Sequence, residues 1–391
     1  MIFKDLKVME LASVLAGPSV GQFFAELGAG VIKVENLKTN GDITRTWKIS
    51  GEKEGDISAY FCSVNWGKKS IAIDLSQPEG RRIVQRLSAE TDVIITSYKP
   101  GDAEKLGVDY KTLSGLNAKL IYGQITGYGS HNDRVGYDAV IQAEAGFIDL
   151  NGEKNGPPAK MPVALIDVLA GHHMKEGLLL ALIKRGKTGQ GELVEVSLLQ
   201  TAISSLINQA SNWLVVNRLP QRQGSAHPNI APYGEYFETA DGKLILLAVG
   251  SDRQFADLCS VLGLDALSND DRYSSNPSRV ENRLQLNQLI SKKISEFLSG
   301  PLLLKMNSLK IPVGVIQNIK EALDMPEAKE LFLHSGSLTG IRSFVGNAGS
   351  LTHLLPPPHC GEHTALILQA AGFSFNEMEN LKRAQIIRSF S

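Results

Sequence analysis

Short apolar runs, separated by Gly, Pro and polar clusters, dominate the first third of the chain. Residues 6–11 (LKVMEL), 31–35 (VIKVE), the KSIAID core of 63–80, 92–101 (DVIITSYKPG) and 119–129 (KLIYGQITGYG) have the length and composition of strands. The segments between them carry helix signals. Residues 18–28 open on Pro18 and close on Gly28, Pro78 opens a helix over about 79–90, and DAEKLGV reads as further helix. Strands alternating with helices predict an α/β fold, an open doubly wound sheet of mostly parallel strands. Ligands of such sheets bind beyond the carboxyl ends of the strands. That edge would carry Ser13–Ala16, Ser97–Lys99 and Gly127–Gly129.

Residues 162–201 change the rhythm. A small-residue approach leads to Asp167, a helix is predicted from about Val168 to Arg185, and Gly186, Gly189 and Gly191 punctuate its end before the β-rich ELVEVSL. Two readings of Asp167 stay open on the pattern alone. Its carboxylate caps the helix by accepting orphan N–H groups, or it is a nucleophile kept ionised and aimed by the helix dipole.

Beyond it, 198–217 reads as one long helix, and 218–234 as a loop with three prolines. Residues 235–249 read as a hairpin turned at Asp241-Gly242. Helices over about 252–262, 280–299 and 301–309 and a strand at 311–317 follow. The expected organisation is a large α/β domain over 1–200, a linker helix and loop over 201–224, and a smaller α+β domain over 225–330. Residues 331–391 form a linker and tail, the stretch 350–391 holding a Pro run and a last helix.

Composition adds exclusions. The 391 residues carry a formal net charge of −1, which speaks against nucleic-acid binding. Cys62, Cys259 and Cys360 are scattered and odd in number, so a reducing, cytoplasmic setting is expected rather than a disulfide framework. No signal-peptide profile and no membrane-length apolar run is seen, so no membrane partner is expected.

Candidate chemistry is sparse. His359, Cys360, Glu362 and His363 look metal-like, but Pro356–Pro358 stand directly before them and a surface turn is the expected reading; no metal is expected. His172 and His173 are adjacent and cannot chelate together on a helix, and His227 sits undecided in the Pro-rich loop. Glu35, ending the second strand, mimics the acid that grips a ribose in dinucleotide-binding folds, yet the preceding loop is SVLAGP rather than G-x-G-x-x-G. Lys68, Lys69, Lys99 and Lys105 lie in or near loops of the α/β domain, where together they suit a phosphate-bearing ligand.

These segments, taken in order, resemble the class III CoA-transferases, a family that includes formyl-CoA and carnitine CoA-transferases with α-methylacyl-CoA racemase as a branch. The resemblance runs through VMELASVLAGP…ELGAGVIKVE, GD-x-x-R at 41–45, KKSIAIDL, GYG…GYD at 127–138, ID-x-x-AG around Asp167, TGQGE-x-V-x-VSL, HPNIAPYG, IPVGVI and GEHT. It implies a large dinucleotide-fold-like domain built from both chain ends, an inserted smaller domain, and two subunits interlocked as a homodimer. It implies coenzyme A or acyl-CoA as substrate, with no tightly bound cofactor. Contacts to coenzyme A would fall at Leu15, Ala16, Ile73, Asp74, Leu75, Ser76, Ser97, Tyr98, Lys99, Lys105, Tyr137 and Asp138, and Asp167 matches the catalytic aspartate.

The implied activity moves coenzyme A from an acyl-CoA donor to a free carboxylic acid through an aspartyl-CoA thioester. Three departures stand out: Asn36 in place of an arginine, Ser76 in place of a lysine, and no glycine run in 218–234. Two alternatives remain. The racemase branch uses a histidine where this chain has Tyr137, and a phenol is a poor base at neutral pH. A non-catalytic homologue that binds coenzyme A would not need Asp167.

Overall fold

The computed structural model describes residues 1–55, 57–346 and 354–388. The first positions of the tail read as 350–391, and its last three, lie outside the described residues. The chain divides into two compact units: Met1–Ala145 with Met161–Ile207 and Glu330–Ser391, and Gly146–Lys160 with Asn208–Lys329.

The first unit begins with β1 (Lys7–Leu11), α1 (Ala16–Glu26), β2 (Gly30–Asn36), α2 (Ala59–Cys62), β3 (Lys68–Ile73) and α3 (Pro78–Ser88). It continues with β4 (Val93–Thr96), α4 (Asp102–Lys105), α5 (Tyr110–Ser114), β5 (Ile121–Thr126) and α6 (Asp138–Glu144). After α7 (Phe147–Leu150), which clusters with the second unit, come α8 (Leu165–Thr188), β6 (Leu193–Ser197) and α9 (Leu198–Ser204). The second unit carries α10 (Ile207–Val216), β7 (Tyr233–Glu238), β8 (Leu244–Ala248), α11 (Asp252–Leu262), α12 (Asn276–Glu281), α13 (Arg283–Ile294), α14 (Ser299–Ser308), β9 (Val313–Val315), α15 (Ile319–Leu323) and α16 (Pro326–Lys329). The chain then returns to the first unit with β10 (Phe332–Ser335), β11 (Leu338–Ile341), α17 (Thr364–Ala370), α18 (Phe375–Arg383) and β12 (Ile387–Arg388).

Seven strands form the main sheet in the order β12-β3-β2-β1-β4-β5-β6. All neighbours are parallel except β12, which adds antiparallel to β3. The apolar runs are long because parallel strands are buried on both faces. Met9, Leu11, Ile71, Ile73, Ile94 and Tyr122 pack with Ile83 and Val84 of α3 and with Ile367 and Leu368 of α17. The second unit has its own core around the antiparallel β7-β8-β9 sheet, where Phe237, Ile245 and Leu247 meet Phe255, Leu258, Leu286 and Ile290.

On its α1 side the sheet buries charge. Glu10, Lys33 and Lys68 have side chains fully removed from solvent. The Lys33 ammonium lies 2.8 Å from Glu10 Oε1 and 2.9 Å from Asp42 Oδ2, and donates to the Ala12 carbonyl at 2.9 Å. The Lys68 ammonium lies 2.7 Å from Glu10 Oε2 and donates to the Pro18 carbonyl at 2.8 Å and to Asn65 Oδ1 at 2.9 Å. Burial opposes charge on Lys33, yet Asp42 and Glu10 hold it protonated well above the usual lysine range, whereas burial pushes Lys68 down to about 8. Gly21 of α1 makes room: a Cβ there would stand 1.9 Å from Glu10 Oε2.

Several expectations are corrected. Lys68 is not a loop cation; it is a buried strand residue paired with Glu10. Residues 198–217 are two helices, because Ile207 takes a left-handed φ of 40° that breaks the helix after Ser204. The turn at 359–363 leads into α17 and is only partly at the surface, with Glu362 exposed and Cys360 and Gly361 buried. Gly361 donates to Ser70 Oγ at 2.8 Å and His363 N to the Ser70 carbonyl at 2.9 Å, docking the tail on β3. Glu35 has no oxygen left for a ribose: Arg45 grips both its oxygens at 2.6 and 2.8 Å, and Ser70 and the Asp42 N–H donate to it as well.

Removing one partner from such a network leaves an uncompensated buried charge. Lys33→Met is therefore expected to cost about 3–5 kcal/mol in urea unfolding; a cost below about 1 kcal/mol would show that the network is not structural.

Candidate active site

The strand order reverses between β1 and β4, so the loops leaving their carboxyl ends diverge and open a crevice. There lies a cleft of about 180 Å³, lined by Ser13–Ala16, Ser97–Pro100, Ile125–Gly127, Arg134–Asp138, Asp167 and Leu198. The sequence signature GYG…GYD has a steric origin here. A Cβ on Gly127 would stand 2.7 Å from the Gly136 Cα, and one on Gly136 2.5 Å from the Gly127 Cα, so the two loops touch backbone to backbone.

Asp167 is not the N-cap of its helix. α8 starts at Leu165, two residues before it, which places Asp167 in the first turn. The cap is supplied by another element. Asp138 Oδ1, at the start of α6, accepts from Ile166 N at 2.7 Å and from Asp167 N at 3.4 Å. Gln142 completes the clamp: its amide donates to Asp138 Oδ2 at 2.6 Å and its carbonyl accepts from Met161 N at 3.0 Å. Among the described residues, none donates to the Asp167 carboxylate. Burial, and then the negative charge of Asp138, push Asp167 up to about 7. The expectation that the helix start holds it ionised is thereby corrected, because Asp138 has taken the N–H groups that would do so.

The facing wall is the β1–α1 loop. Val14 adopts φ 72°, a region that β-branched residues rarely enter, at a cost of about 1–3 kcal/mol. Its N–H points between the two oxygens of Asp42, 3.3 Å from each. Asp42 is held in turn by Lys33, and its carboxyl is kept below the usual range. α1 begins without a side-chain cap, and Pro18 brings no N–H, so the Ala16 and Gly17 N–H groups have no acceptor among the described residues.

The cleft gathers eight of the expected site residues: Leu15, Ala16, Ser97, Tyr98, Lys99, Tyr137, Asp138 and Asp167. The remaining five lie outside it. Ile73 is fully buried and Leu75 packs in the core, so any ligand contact there falls to their backbone. Asp74 and Ser76 bond each other, and the Lys38 ammonium donates to Ser76 Oγ at 2.6 Å and lies 3.1 Å from Asp74. Lys105 is exposed and paired with Asp102 at 2.9 Å. Lys38 was missed by sequence reasoning, although a lysine two residues past a strand end, beside Asn36, was the available signal. Tyr60 was not singled out either: burial, and then the charge of Asp167, raise its pKa. Among the described residues, no group of three or more His, Cys, Asp or Glu is placed to hold a metal, and no helix is long and apolar enough to cross a membrane.

Comparison with known proteins gives concordant results. The family model described as CoA-transferase family III matches residues 3–364. A succinate–glutarate CoA-transferase of Agrobacterium fabrum is 38% identical, over 97% of this chain and 96% of its own. The human succinyl-CoA:glutarate CoA-transferase is 35% identical, over 94% and 85%. The crystal structure of a CAIB/BAIF family protein from Brucella suis superimposes with a TM-score of 0.82 at 37% identity, covering 94% of this chain and 98% of that one.

The position of Asp167 has a thermodynamic consequence. Its folded pKa of about 7 lies above the ordinary carboxyl value of 3.8, so the folded state binds the proton more tightly. This group's contribution to stability therefore falls as pH rises from about 4 through 7 and is level above that. Asp167→Asn should melt higher than wild type at pH 8, with the difference shrinking toward pH 4; calorimetry across that range checks it, and equal melting at pH 8 would contradict it.

Proposed function

The chain belongs to CoA-transferase family III and is a CoA-transferase, and from that premise we propose that it moves coenzyme A to a free dicarboxylic acid, from succinyl-CoA or a similar donor, with Asp167 as the covalent nucleophile. The observation that carries this reading is a buried carboxylate without a donor among the described residues, lining a cleft at the switch point of the sheet. The substrate class is supported by relatives named as succinate–glutarate, succinyl-CoA:glutarate and succinyl-CoA–D-citramalate CoA-transferases.

The chemistry runs as follows. An Asp167 oxygen attacks the thioester carbonyl, and the tetrahedral adduct expels the coenzyme A thiolate to leave a mixed anhydride. The thiolate attacks the aspartyl carbonyl of that anhydride, releasing the donor carboxylate and leaving an aspartyl-CoA thioester. The acceptor carboxylate then attacks this thioester and expels the thiolate. The thiolate attacks the acceptor's carbonyl in the second anhydride, forming the new acyl-CoA and freeing Asp167. Covalent capture divides one hard exchange into easier steps and conserves the thioester, and water must be kept from both intermediates.

Coenzyme A is long, and the expected contacts spread accordingly. The end of β3, with Asp74, Ser76 and Lys38, lies two strands from β1, roughly 10 Å at the usual strand spacing. A ligand with its thioester at the β1/β4 crevice and its phosphates toward β3 and Lys99 would meet every segment named from the sequence except Lys105, whose charge Asp102 already balances. The domain layout expected from the sequence is read in the same way, as a large unit that binds coenzyme A and a smaller one. The partner is a second copy of the chain. This is supported by α10, which buries no residue and exposes Leu214 and Val215 at 78% each.

Incubation with succinyl-CoA alone should build up aspartyl-CoA on the peptide containing Asp167, trapped by hydroxylamine and located by mass analysis. Asp167→Asn should remain folded and lose turnover by orders of magnitude; near-normal transfer by that variant, free of deamidation, would end the assignment. Light scattering is expected to give twice the chain mass, and an active monomer would remove the dimer.

A further inference from the structure

The cleft contains a second carboxylate that the chemistry above does not use. Asp138 was expected among the coenzyme A contacts, but its oxygens face inward, onto Ile166 N, Asp167 N and Gln142. Residue 138 is 8% exposed, and Gln142 is fully buried. From the geometry we infer that Asp138, fixed by Gln142, is the positioning residue for the nucleophile: by taking up the N–H groups that open α8, it presents the Asp167 carboxylate to the cleft with no donor on it among the described residues. The inference rests on the reading of Asp167 as nucleophile.

The physical reasoning is competitive. The first N–H groups of a helix have no partner within the helix and seek an acceptor. An aspartate in the first turn is the nearest acceptor available, and a carboxylate that accepts such bonds is stabilised as an anion and made less basic. Placing Asp138 across the opening of α8 removes that outcome. Gln142 adds direction, since it holds Asp138 Oδ2 while its carbonyl takes Met161 N, so α6 is tied to the start of the 161–167 segment. The like charge beside Asp167 then raises its basicity, and with it the reactivity of the ionised form.

The other titratable groups of this region are Tyr98 and Lys99 from the loop after β4 and Arg134 and Tyr137 before α6, which line the cleft, and Tyr60 of α2, whose pKa burial and then the charge of Asp167 raise. Arg134 is paired with Glu144 at 2.5 Å. α1 brings no charged residue in its first turn, and α9 carries none at all.

The test uses the full chain with Asp138→Asn and Asp138→Ser. Both replacements keep a side-chain oxygen suited to capping and remove the charge, so one folded variant suffices. Asp167 is titrated by infrared difference spectroscopy against the same protein carrying Asp167→Asn. Its midpoint is expected to fall by about one unit or more in each variant. The acid limb of kcat for transfer should move down with it. At pH 8 kcat should drop by up to about tenfold with KM for acyl-CoA little changed, because the less basic carboxylate is the weaker nucleophile. An unmoved midpoint, with or without lost turnover or lower melting, makes Asp138 an ordinary helix cap and overturns the inference. The titration needs no turnover. A failure of the nucleophile reading, seen as normal transfer by Asp167→Asn, is therefore distinguishable from a failure of this one.

Discussion

Glu10 bridges two ammonium groups beneath the carboxyl edge of the sheet, and the shape of the cleft depends on that bridge. Removing charges from water costs several kcal/mol for each ion unless the geometry returns it. Here each ammonium is met by three oxygens, and one of the three is in each case a backbone carbonyl at an end of the β1–α1 connection: Ala12, just after β1, for Lys33, and Pro18, in the first turn of α1, for Lys68. The connection is thus held at both ends. Between those points Lys33 also fixes Asp42, which draws in the Val14 N–H and keeps that residue in a conformation its side chain disfavours. Apolar packing tolerates small shifts. Directed bonds from buried charges tolerate fewer, which is why one wall of the cleft can hold local strain.

The opposite wall uses the same resource differently. Asp138 and Gln142 engage the polar groups at the start of α8, and the Asp167 carboxylate is left without them. Burial beside a like charge disfavours the ionised state that nucleophilic attack requires, so the fold carries a local instability where reactivity is needed. The surrounding sheet, with its continuous core from Met9 to Ile387, is what sustains it.

Much of this frame was legible in the sequence. Strand runs such as VIKVE and KSIAID were recognisable because parallel strands are apolar on both faces, and Pro78 and Gly28 marked helix ends for local steric reasons. Lys68 was not legible. A lysine at the head of an apolar run reads as a loop cation, and only the parallel pairing of β3 with β2 brings it to Glu10. The role of Asp138 was hidden for the same reason, since its partners lie 28 and 29 residues further on. The break at Ile207 was not legible either, because a left-handed isoleucine has no sequence signature. The cleft residues at the ends of β1 and β4 were foreseeable from topology, whereas Lys38 required knowing that β2 lies beside β3.

The two helix starts that flank the cleft are unequal, and that bears on where charge develops. N–H groups at the start of α8 would suit an oxyanion, but those of Ile166 and Asp167 are already bound to Asp138. α1 is the reverse case: it has no side-chain cap, and Ala16 lines the cleft with its N–H free of any acceptor among the described residues. Donors fixed in place before reaction stabilise a developing oxyanion without reorganisation. Under the function proposed here, the thioester carbonyl would therefore lie between the two walls, its carbon toward Asp167 and its oxygen toward α1. In that reading the nucleophile would approach from the helix whose N–H groups are consumed, and the oxyanion would form at the helix whose N–H groups are open. Such a division avoids a conflict that one helix start serving both groups would create, because donors that bind the oxyanion would also bind the attacking carboxylate and weaken it.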